Sequence, residues 1–384
     1  MAGTFAKDVA STCAMHGMDA MVQISRARLR PLPPASRTAL AMRLPLCVDH
    51  VRAVQTSRQP SCTGPIDVST FDRTQLLEIR RQVAPYLHET PLWRSDTLSR
   101  MAGCNVFLKA ELLQKTGSYK PRGMLWSLMA MDPAQRARGV ITFSSGNAAQ
   151  GLAYAGRLLG VAVTVAMPAT ANPTKVQATR DYGADVLLHG TPLECLAFCR
   201  QLAADRDLTF ISSYDDMALM QGHATLGLEI LEQLPQTDAI LMGVGGGGML
   251  GGTALALQAC HSDAELIGVE PTGAPAMSRS FEAGHAVTLD SVSTIADGLA
   301  APDAGALCYQ TVRERVSRIE LVDEAQIVAA MRLLMERCKL YAEPAGSAAV
   351  AGLLGGGLHF DDQANVVCVV SGGNLDPQRL KQLL

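Results

Sequence analysis

The sequence has few aromatic residues, no large excess of either charge and no long apolar run. Its 384 residues include 2 Trp, 7 Tyr and 8 Phe, so the interior must be filled mainly by Ala, Leu, Val and Gly. The formal net charge is −3 and no run of Lys and Arg occurs, which excludes the electrostatic footprint of a nucleic-acid-binding protein. No apolar stretch reaches the ~18 residues that cross a bilayer. We therefore expect that the protein neither binds nucleic acid nor associates with a membrane.

Metal-binding and disulfide patterns are also missing. The ten cysteines are scattered, and the nearest pair, Cys195 and Cys199, has the spacing of one helical face rather than of a CxxC motif. The histidines form no HExxH motif, which gives no support to a metal-dependent hydrolase. The sequence therefore predicts free, buried thiols in a reducing compartment, no bound metal and a cytoplasmic location.

Residues 1–66 differ in composition from the rest of the chain. They contain eight Lys or Arg and three Asp but no Glu, so their local charge is +5. This composition resembles an organelle transit peptide, and it is equally typical of a disordered extension. We expect a disordered extension.

From residue 67 onward, helical and strand patterns alternate. An amphipathic helix is predicted over 72–86. Short apolar strands are predicted at 106–108, 140–143, 161–167, 186–189, 239–242, 266–269 and 366–370. Strands that alternate with helices predict a parallel α/β fold, and continuously apolar strands predict sheets that are covered on both faces.

The chain is several times longer than the ~100–150 residues of a single domain. Similar α/β units recur along it without a change in composition, which favours one unit inserted into another. We expect a large domain over 67–135 and 218–384 and a small α/β domain over 136–217.

Four consecutive glycines, Gly245, Gly246, Gly247 and Gly248, follow a predicted strand and precede a predicted helix. Without side chains, successive backbone N–H groups can turn toward an anion, and the helix N-terminus adds partial positive charge. The segment therefore predicts a phosphate-binding loop. A tight turn without a ligand is the alternative, although such a run of glycines loses much conformational entropy on folding.

The same segment also matches the GxGxxG pattern through Gly243, Gly245 and Gly248. Glu265 or Glu270 follows near the distance of the ribose-binding acid in dinucleotide folds. The match is weak because such a turn usually opens a dinucleotide fold, whereas here it comes late in the chain. An NAD-dependent oxidoreductase is one alternative interpretation, and a non-catalytic ligand-binding protein is another.

Lys120 is the second candidate for chemistry. It lies in the segment Thr-Gly-Ser-Tyr-Lys-Pro-Arg-Gly at 116–123, where the glycines position the backbone rather than build a charged helix face. A lysine amine that is held away from water can form a Schiff base with a carbonyl cofactor. This context favours a reactive lysine over a solvated one.

These segments, in this order, resemble fold-type II pyridoxal-phosphate enzymes, in particular the serine/threonine dehydratase and serine racemase branch. The resemblance spans residues 71–384. Its motifs are Ser-Tyr-Lys at 118–120, Ser-Ser-Gly-Asn-Ala-Ala-Gln-Gly at 144–151, the four glycines at 245–248, and Ser-Gly-Gly-Asn at 371–374. It implies two α/β domains with parallel sheets, similar to the tryptophan synthase beta fold, with pyridoxal 5'-phosphate in the cleft between them.

The resemblance also implies a role for each motif. Lys120 would hold the cofactor covalently and act as the base at the α-carbon of the substrate. Asn147 would bind the ring hydroxyl of the cofactor, Ser371 its pyridine nitrogen, and the glycines Gly245 to Gly248 its phosphate. A serine rather than a carboxylate at the pyridine nitrogen favours rapid loss of a β-substituent over a long-lived carbanion.

Ser145 has two interpretations. Its position resembles that of a second acid/base group in serine racemases, on the cofactor face opposite the lysine. Its hydroxyl would also suit a cap for the helix that begins near Asn147. Racemisation of an amino acid therefore stays open beside elimination.

Two positions depart from the pattern of the family. Ala148 replaces the histidine of the loop that contains Asn147. Ala276 stands where relatives carry an acidic cation ligand, beyond a glutamate like Glu270 and a carbonyl near Ala274, so metal activation is not expected.

The motifs together predict a lyase of amino-acid metabolism. We expect a homodimer or homotetramer that converts L-threonine, L-serine or a related 3-hydroxy amino acid into a 2-oxo acid and ammonia. A serine or other amino-acid racemase on the same fold is the alternative.

Overall fold

Two sheets organise the residues that the computed structural model describes, which are 70–384. The predicted N-terminal extension over 1–66 lies outside them. The strands are β1 (Leu92–Arg94), β2 (Asn105–Lys109), β3 (Val140–Phe143), β4 (Val163–Met167), β5 (Asp185–Leu188), β6 (Thr209–Phe210), β7 (Ala239–Gly243), β8 (Glu265–Pro271), β9 (Val316–Val322) and β10 (Asn365–Val369).

Helices connect most of these strands, as the alternating pattern predicted. Single-turn 3-10 helices cover Ala84–Tyr86, Glu111–Leu113, Lys115–Gly117 and Asp297–Leu299. The α-helices are α1 (Arg73–Val83), α2 (Asp96–Ala102), α3 (Lys120–Ala130), α4 (Pro133–Arg138), α5 (Asn147–Leu159), α6 (Pro173–Asp181), α7 (Pro192–Asp205), α8 (Met217–Gln233), α9 (Gly248–Ala259), α10 (Ala276–Ala283), α11 (Ala306–Val312), α12 (Glu324–Cys338), α13 (Pro344–Leu354) and α14 (Pro377–Leu383).

The larger sheet has six strands in the order β1-β2-β10-β7-β8-β9. Only β1 runs antiparallel to its neighbour. In the central strand β10, Val367 and Val369 belong to one apolar cluster, whereas Val366 and Cys368 belong to another. Apolar side chains therefore cover both faces of the sheet, which explains why the central strands read as continuous apolar runs.

The smaller sheet has four parallel strands in the order β5-β4-β3-β6. Its core also includes Met124, Leu125 and Leu128 of α3, which pack with Val140 and Leu152. The helix that begins at Lys120 therefore packs on the side of the smaller sheet. The domain limits 67–135, 218–384 and 136–217 stay a prediction.

A buried group of four charged side chains fastens α3 to β2 and α8. Arg122 Nη2 lies 2.8 Å from Glu111 Oε1, and Arg122 Nη1 lies 3.0 Å from Glu229 Oε2. Lys109 Nζ lies 2.6 Å from Glu229 Oε1. All four residues are buried. Because Arg122 is two residues from Lys120, this network fixes the position of the first turn of α3.

The cysteines of residues 70–384 are free, and Cys195 and Cys199 lie buried together in one apolar cluster, as predicted. None of the helices described is both long and apolar enough to span a membrane.

Candidate active site

The predicted site segments follow the carboxyl ends of parallel strands. The glycine segment follows β7, the Ser-Gly-Gly-Asn segment follows the neighbouring strand β10, and the Ser-Ser-Gly-Asn segment follows β3 of the smaller sheet. Ligands of open α/β sheets bind outside this edge of the strands. The fold therefore places the predicted residues where a ligand site is expected.

Lys120 is the first residue of α3, and its side chain is partly buried. Its Nζ donates a hydrogen bond to the Ser213 carbonyl oxygen at 2.7 Å and lies 5.0 Å from the centre of the Tyr119 ring. A Cβ atom on Gly151 of α5 would lie 3.1 Å from the Lys120 Cβ. The glycine thus lets α5, which begins at Asn147, approach the lysine closely.

Ser371 is buried and directly joined to the lysine segment. Its carbonyl oxygen accepts a hydrogen bond from the Tyr119 N–H at 3.1 Å, and Ser118 forms an isolated antiparallel bridge with Gly372. Its hydroxyl lies 3.4 Å from the Ala345 carbonyl oxygen, which is a weak hydrogen bond. These bonds bring the Ser-Tyr-Lys and Ser-Gly-Gly-Asn motifs together.

The glycine loop offers free donors. Within the described residues, none of the N–H groups from Gly245 to Gly248 donates to a protein acceptor. Gly247 has φ +100°, a left-handed conformation that favours glycine, and α9 begins immediately after it. A Cβ atom on Gly247 would lie 2.6 Å from Met277 Cε, and one on Gly246 would collide with the Tyr214 ring. The loop is closely packed, and its free N–H groups lie at the N-terminus of a helix, where an anion is favoured.

Tyr214 lies beside the candidate site, a position that the sequence did not reveal. Its ring packs against the glycine loop, and its hydroxyl donates to Asp303 Oδ1 at 2.9 Å. Burial, together with Asp303, raises the pKa of Tyr214. The preceding residue, Ser213, accepts the Lys120 bond, so this short segment links the lysine to the loop. It contains no motif from which this position could be inferred.

Asn147 is held by two other side chains. Its Nδ2 donates to Glu343 Oε1 at 2.6 Å, and its Oδ1 accepts from Asn374 Nδ2 at 2.8 Å. Burial raises the pKa of Glu343 to about 7, although nearby Lys175 opposes the shift. Glu343 and Asn374 also border a cavity of about 170 Å³. Asn374 belongs to the Ser-Gly-Gly-Asn motif and Glu343 to none of the motifs named above, and neither contact with Asn147 was predicted from the sequence.

Ser145 is exposed, and its hydroxyl has no hydrogen-bond partner among residues 70–384. The interpretation of Ser145 as a helix cap is wrong, because Gly146 is the N-cap of α5 and no side chain caps that end. The hydroxyl that turns back to the chain belongs to Ser144, which accepts from the Gly146 N–H at 3.2 Å. The Ser145 hydroxyl is therefore available to a ligand.

Two other positions bear on the expectations from sequence. Ala148 is buried in the core of the smaller sheet. Glu270 accepts hydrogen bonds from the N–H groups of Met277 and Ser278, at 2.8 and 2.9 Å, and so binds the first turn of α10. Burial raises the pKa of Glu270 to about 8. The described part of the chain contains no cluster of three His, Cys, Asp or Glu side chains suited to a metal ion.

Comparison with known proteins identifies relatives of this chain. The family described as "Pyridoxal-phosphate dependent enzyme" matches residues 83–372. The chain is 40% identical over 310 residues to L-threo-3-hydroxyaspartate ammonia-lyase from Pseudomonas sp, a match that covers 80% of this chain and 97% of that protein. It is 39% identical over 304 residues to L-threonine ammonia-lyase from Geobacter sulfurreducens, covering 79% of this chain and 75% of that protein.

The fold has similar solved structures. Maize serine racemase superposes with a TM-score of 0.77 at 33% sequence identity, and the match covers 81% of this chain and 96% of that one. The family match contains the lysine segment, the Ser-Ser-Gly-Asn segment and the four glycines, and it ends within the Ser-Gly-Gly-Asn motif.

Proposed function

The chain belongs to the pyridoxal-phosphate-dependent enzymes, and on this basis we propose that it is an ammonia-lyase. Its substrate would be L-threonine, L-serine or a related 3-hydroxy amino acid, which it would convert into a 2-oxo acid and ammonia. The names of relatives that are 39% to 40% identical support this reaction. The NAD-dependent alternative receives no support, because the matching family uses a different cofactor.

The residues of the site fit pyridoxal phosphate. The N–H groups of the glycine loop lack protein acceptors in the described region, so they can bind a phosphate, and the positive end of α9 adds to the attraction. A side chain at Gly246 would collide with the Tyr214 ring and one at Gly247 with Met277, so either would force the loop and its N–H groups to shift. When bound, the cofactor supplies a carbonyl group for amines and an electron sink for negative charge at the α-carbon.

The observation that carries the proposal is the position of Lys120. Its Nζ is held by the neutral Ser213 carbonyl oxygen rather than by a carboxylate. Its neighbour Tyr119 is hydrogen-bonded to Ser371, and Lys120 itself packs closely against Gly151 of α5, the helix that begins at Asn147. We infer that Lys120 binds the cofactor covalently, and that its amine takes the proton from the substrate α-carbon when the substrate replaces it.

The other motifs would orient the reactants. Ser371, buried at the end of β10, would meet the pyridine nitrogen, and Asn147 would donate to the ring oxygen. The backbone at 144–147 would hold the carboxylate of the substrate. The buried position of Ser371 supports its assignment, because a buried hydroxyl with one weak bond is available to a further partner.

Racemisation is the second candidate, favoured by the exposed, unpartnered hydroxyl of Ser145 in the described structure. A racemase needs proton delivery on the face opposite Lys120, whereas elimination needs proton removal on the lysine side and departure of the β-hydroxyl. Ser145 would supply that second proton.

The assembly and the location are part of the same proposal. We expect a homodimer or homotetramer in the cytoplasm, as the family resemblance and the thiol pattern suggested. Light scattering of the purified protein would measure the first, and fractionation of the source cell the second.

The experiment is incubation of the purified holoenzyme with L-threonine, L-serine and L-threo-3-hydroxyaspartate. We expect the release of a 2-oxo acid and ammonia in equal amounts from at least one of them, with little of the opposite enantiomer. Lys120→Ala should abolish the release, whereas Lys381→Ala, which alters an exposed lysine of α14, should not.

Two results would contradict the proposal. Release of mainly the D-enantiomer without a 2-oxo acid would make the chain a racemase. Retention of the cofactor with no turnover of any 3-hydroxy amino acid would favour a ligand-binding protein.

A further inference from the structure

The Asn147 side chain has a fixed orientation. Its Oδ1 accepts from Asn374 Nδ2, which uses its other hydrogen on the Thr116 carbonyl oxygen at 2.7 Å. Its Nδ2 donates one hydrogen to Glu343 Oε1 at 2.6 Å. An amide nitrogen carries two hydrogens, so one N–H of Asn147 is left for a ligand. The direction of that N–H is determined by Asn374 and Glu343.

Glu343 is the N-cap of α13, and its carboxyl group makes no capping bond with that helix. The carboxyl group is directed to Asn147 instead. Its backbone N–H donates to the Gly372 carbonyl oxygen at 3.1 Å, and a Cβ atom on Gly372 would collide with Glu343 Oε1. The glycine beside Ser371 therefore makes room for this carboxyl group next to Asn147.

The charged groups that surround Glu343 come from three elements. Lys175 of α6 and Asp297 of the 3-10 helix Asp297–Leu299 border the same cavity. Asp376, the N-cap of α14, and Arg379 within α14 also border it. Lys175 Nζ lies 3.3 Å from Asp297 Oδ2, so much of its charge is balanced there. Burial consequently dominates and raises the pKa of Glu343 to about 7. The carboxyl group changes its charge near neutral pH.

We propose that Glu343 is a positioning residue that orients the Asn147 amide toward the ring oxygen of the cofactor and tunes that hydrogen bond through its own charge. The inference rests on the proposed function, because it takes Asn147 to bind the cofactor. A charged acceptor forms a shorter and stronger hydrogen bond than a neutral one. Asn147 is therefore held most firmly when Glu343 is ionised.

The test compares two variants of the holoenzyme. Glu343→Gln keeps an oxygen that can accept from Asn147 but cannot ionise, whereas Glu343→Ala removes the acceptor. In the unaltered enzyme, the visible absorption of the bound cofactor should change with pH with a midpoint near 7. Glu343→Gln should retain the cofactor and lose this change. Glu343→Ala should lower kcat about tenfold, with KM little changed, because Asn147 is no longer oriented.

Glu270→Gln is the matched control, since burial also raises the pKa of Glu270, to about 8. The inference would be overturned if the change of absorption with pH persisted in Glu343→Gln and disappeared in Glu270→Gln. Full activity and unchanged absorption in Glu343→Ala would also overturn it. If that variant fails to fold, the Gln variant alone decides.

The failures can be told apart. Suppose that the Glu343→Gln enzyme binds the cofactor and releases a 2-oxo acid, but its absorption changes with pH at the same midpoint as in the unaltered enzyme. That result refutes this inference alone. A chain that binds no pyridoxal phosphate refutes the proposed function as well.

Discussion

The substitution Gly246→Ala tests whether the glycine loop closes around a phosphate. The new Cβ atom would collide with the Tyr214 ring. The ring cannot swing away freely, because its hydroxyl is bonded to Asp303 at 2.9 Å and its carbonyl oxygen accepts from Cys308 Sγ at 3.3 Å. The loop must therefore shift and move its N–H groups. Overpacking of this kind costs about 1–3 kcal/mol, and a cost of that size at the phosphate raises the Kd of the cofactor about 10–100-fold.

The assay is titration of the apo protein with pyridoxal phosphate, followed by fluorescence, with urea unfolding measured in parallel. Gly284→Ala is the control. Its φ is +75° and no atom lies within 4 Å of the added Cβ, so it costs backbone strain of about 1–2 kcal/mol without touching the loop. The double variant Tyr214→Ala/Gly246→Ala should bind the cofactor more tightly than Gly246→Ala alone, because the collision is removed.

An unchanged Kd in a folded Gly246→Ala protein would refute the account of the loop. If Gly284→Ala raised the Kd of the cofactor as much as Gly246→Ala does, the effect would reflect general destabilisation.

Three further predictions concern single residues. Arg122→Met leaves Glu111 buried without a cation and leaves Glu229 with Lys109 alone, so it should lower the free energy of unfolding in urea by about 3–5 kcal/mol. Arg81→Met, at an exposed ion pair, should lower it far less. Ser145→Ala should abolish any D-amino acid measured by chiral chromatography while sparing much of the 2-oxo acid. The pKa of Glu343 is about 7 in the folded protein, above its ordinary 4.5, so Glu343 binds extra protons in the folded state and stability falls as pH rises between these values. The free energy of unfolding in urea, measured across this pH range, should fall by about 3 kcal/mol less in Glu343→Gln than in the unaltered protein.

Much of the fold could be predicted because the central strands are buried on both faces. All seven predicted strands occur, with limits that differ by no more than two residues. The sequence did not predict β9, whose burial is uneven because Arg318 and Leu321 are exposed. It also did not predict β1 and β6, which have only three and two residues. These three strands lie at sheet edges and lack the continuous apolar pattern on which the prediction depends.

The motif residues of the candidate site could be proposed from the sequence because glycines and a lysine in a fixed order are visible there, and their roles stay a prediction. The contacts between motifs could not. Glu343 lies 196 positions from Asn147, and nothing local indicates that its carboxyl group turns away from its own helix. Ser145 shows the opposite case, in which a local rule suggested a cap and the loop instead placed Gly146 at the helix start.

The central claim is that Lys120 carries the cofactor. The direct measurement is borohydride reduction of the purified yellow protein, followed by proteolysis and mass spectrometry of the peptides. The account predicts the reduced pyridoxyl group on Lys120 and no labelling above background in Lys120→Ala. A pyridoxyl group on any other lysine, or a protein that carries none after incubation with pyridoxal phosphate, would contradict it.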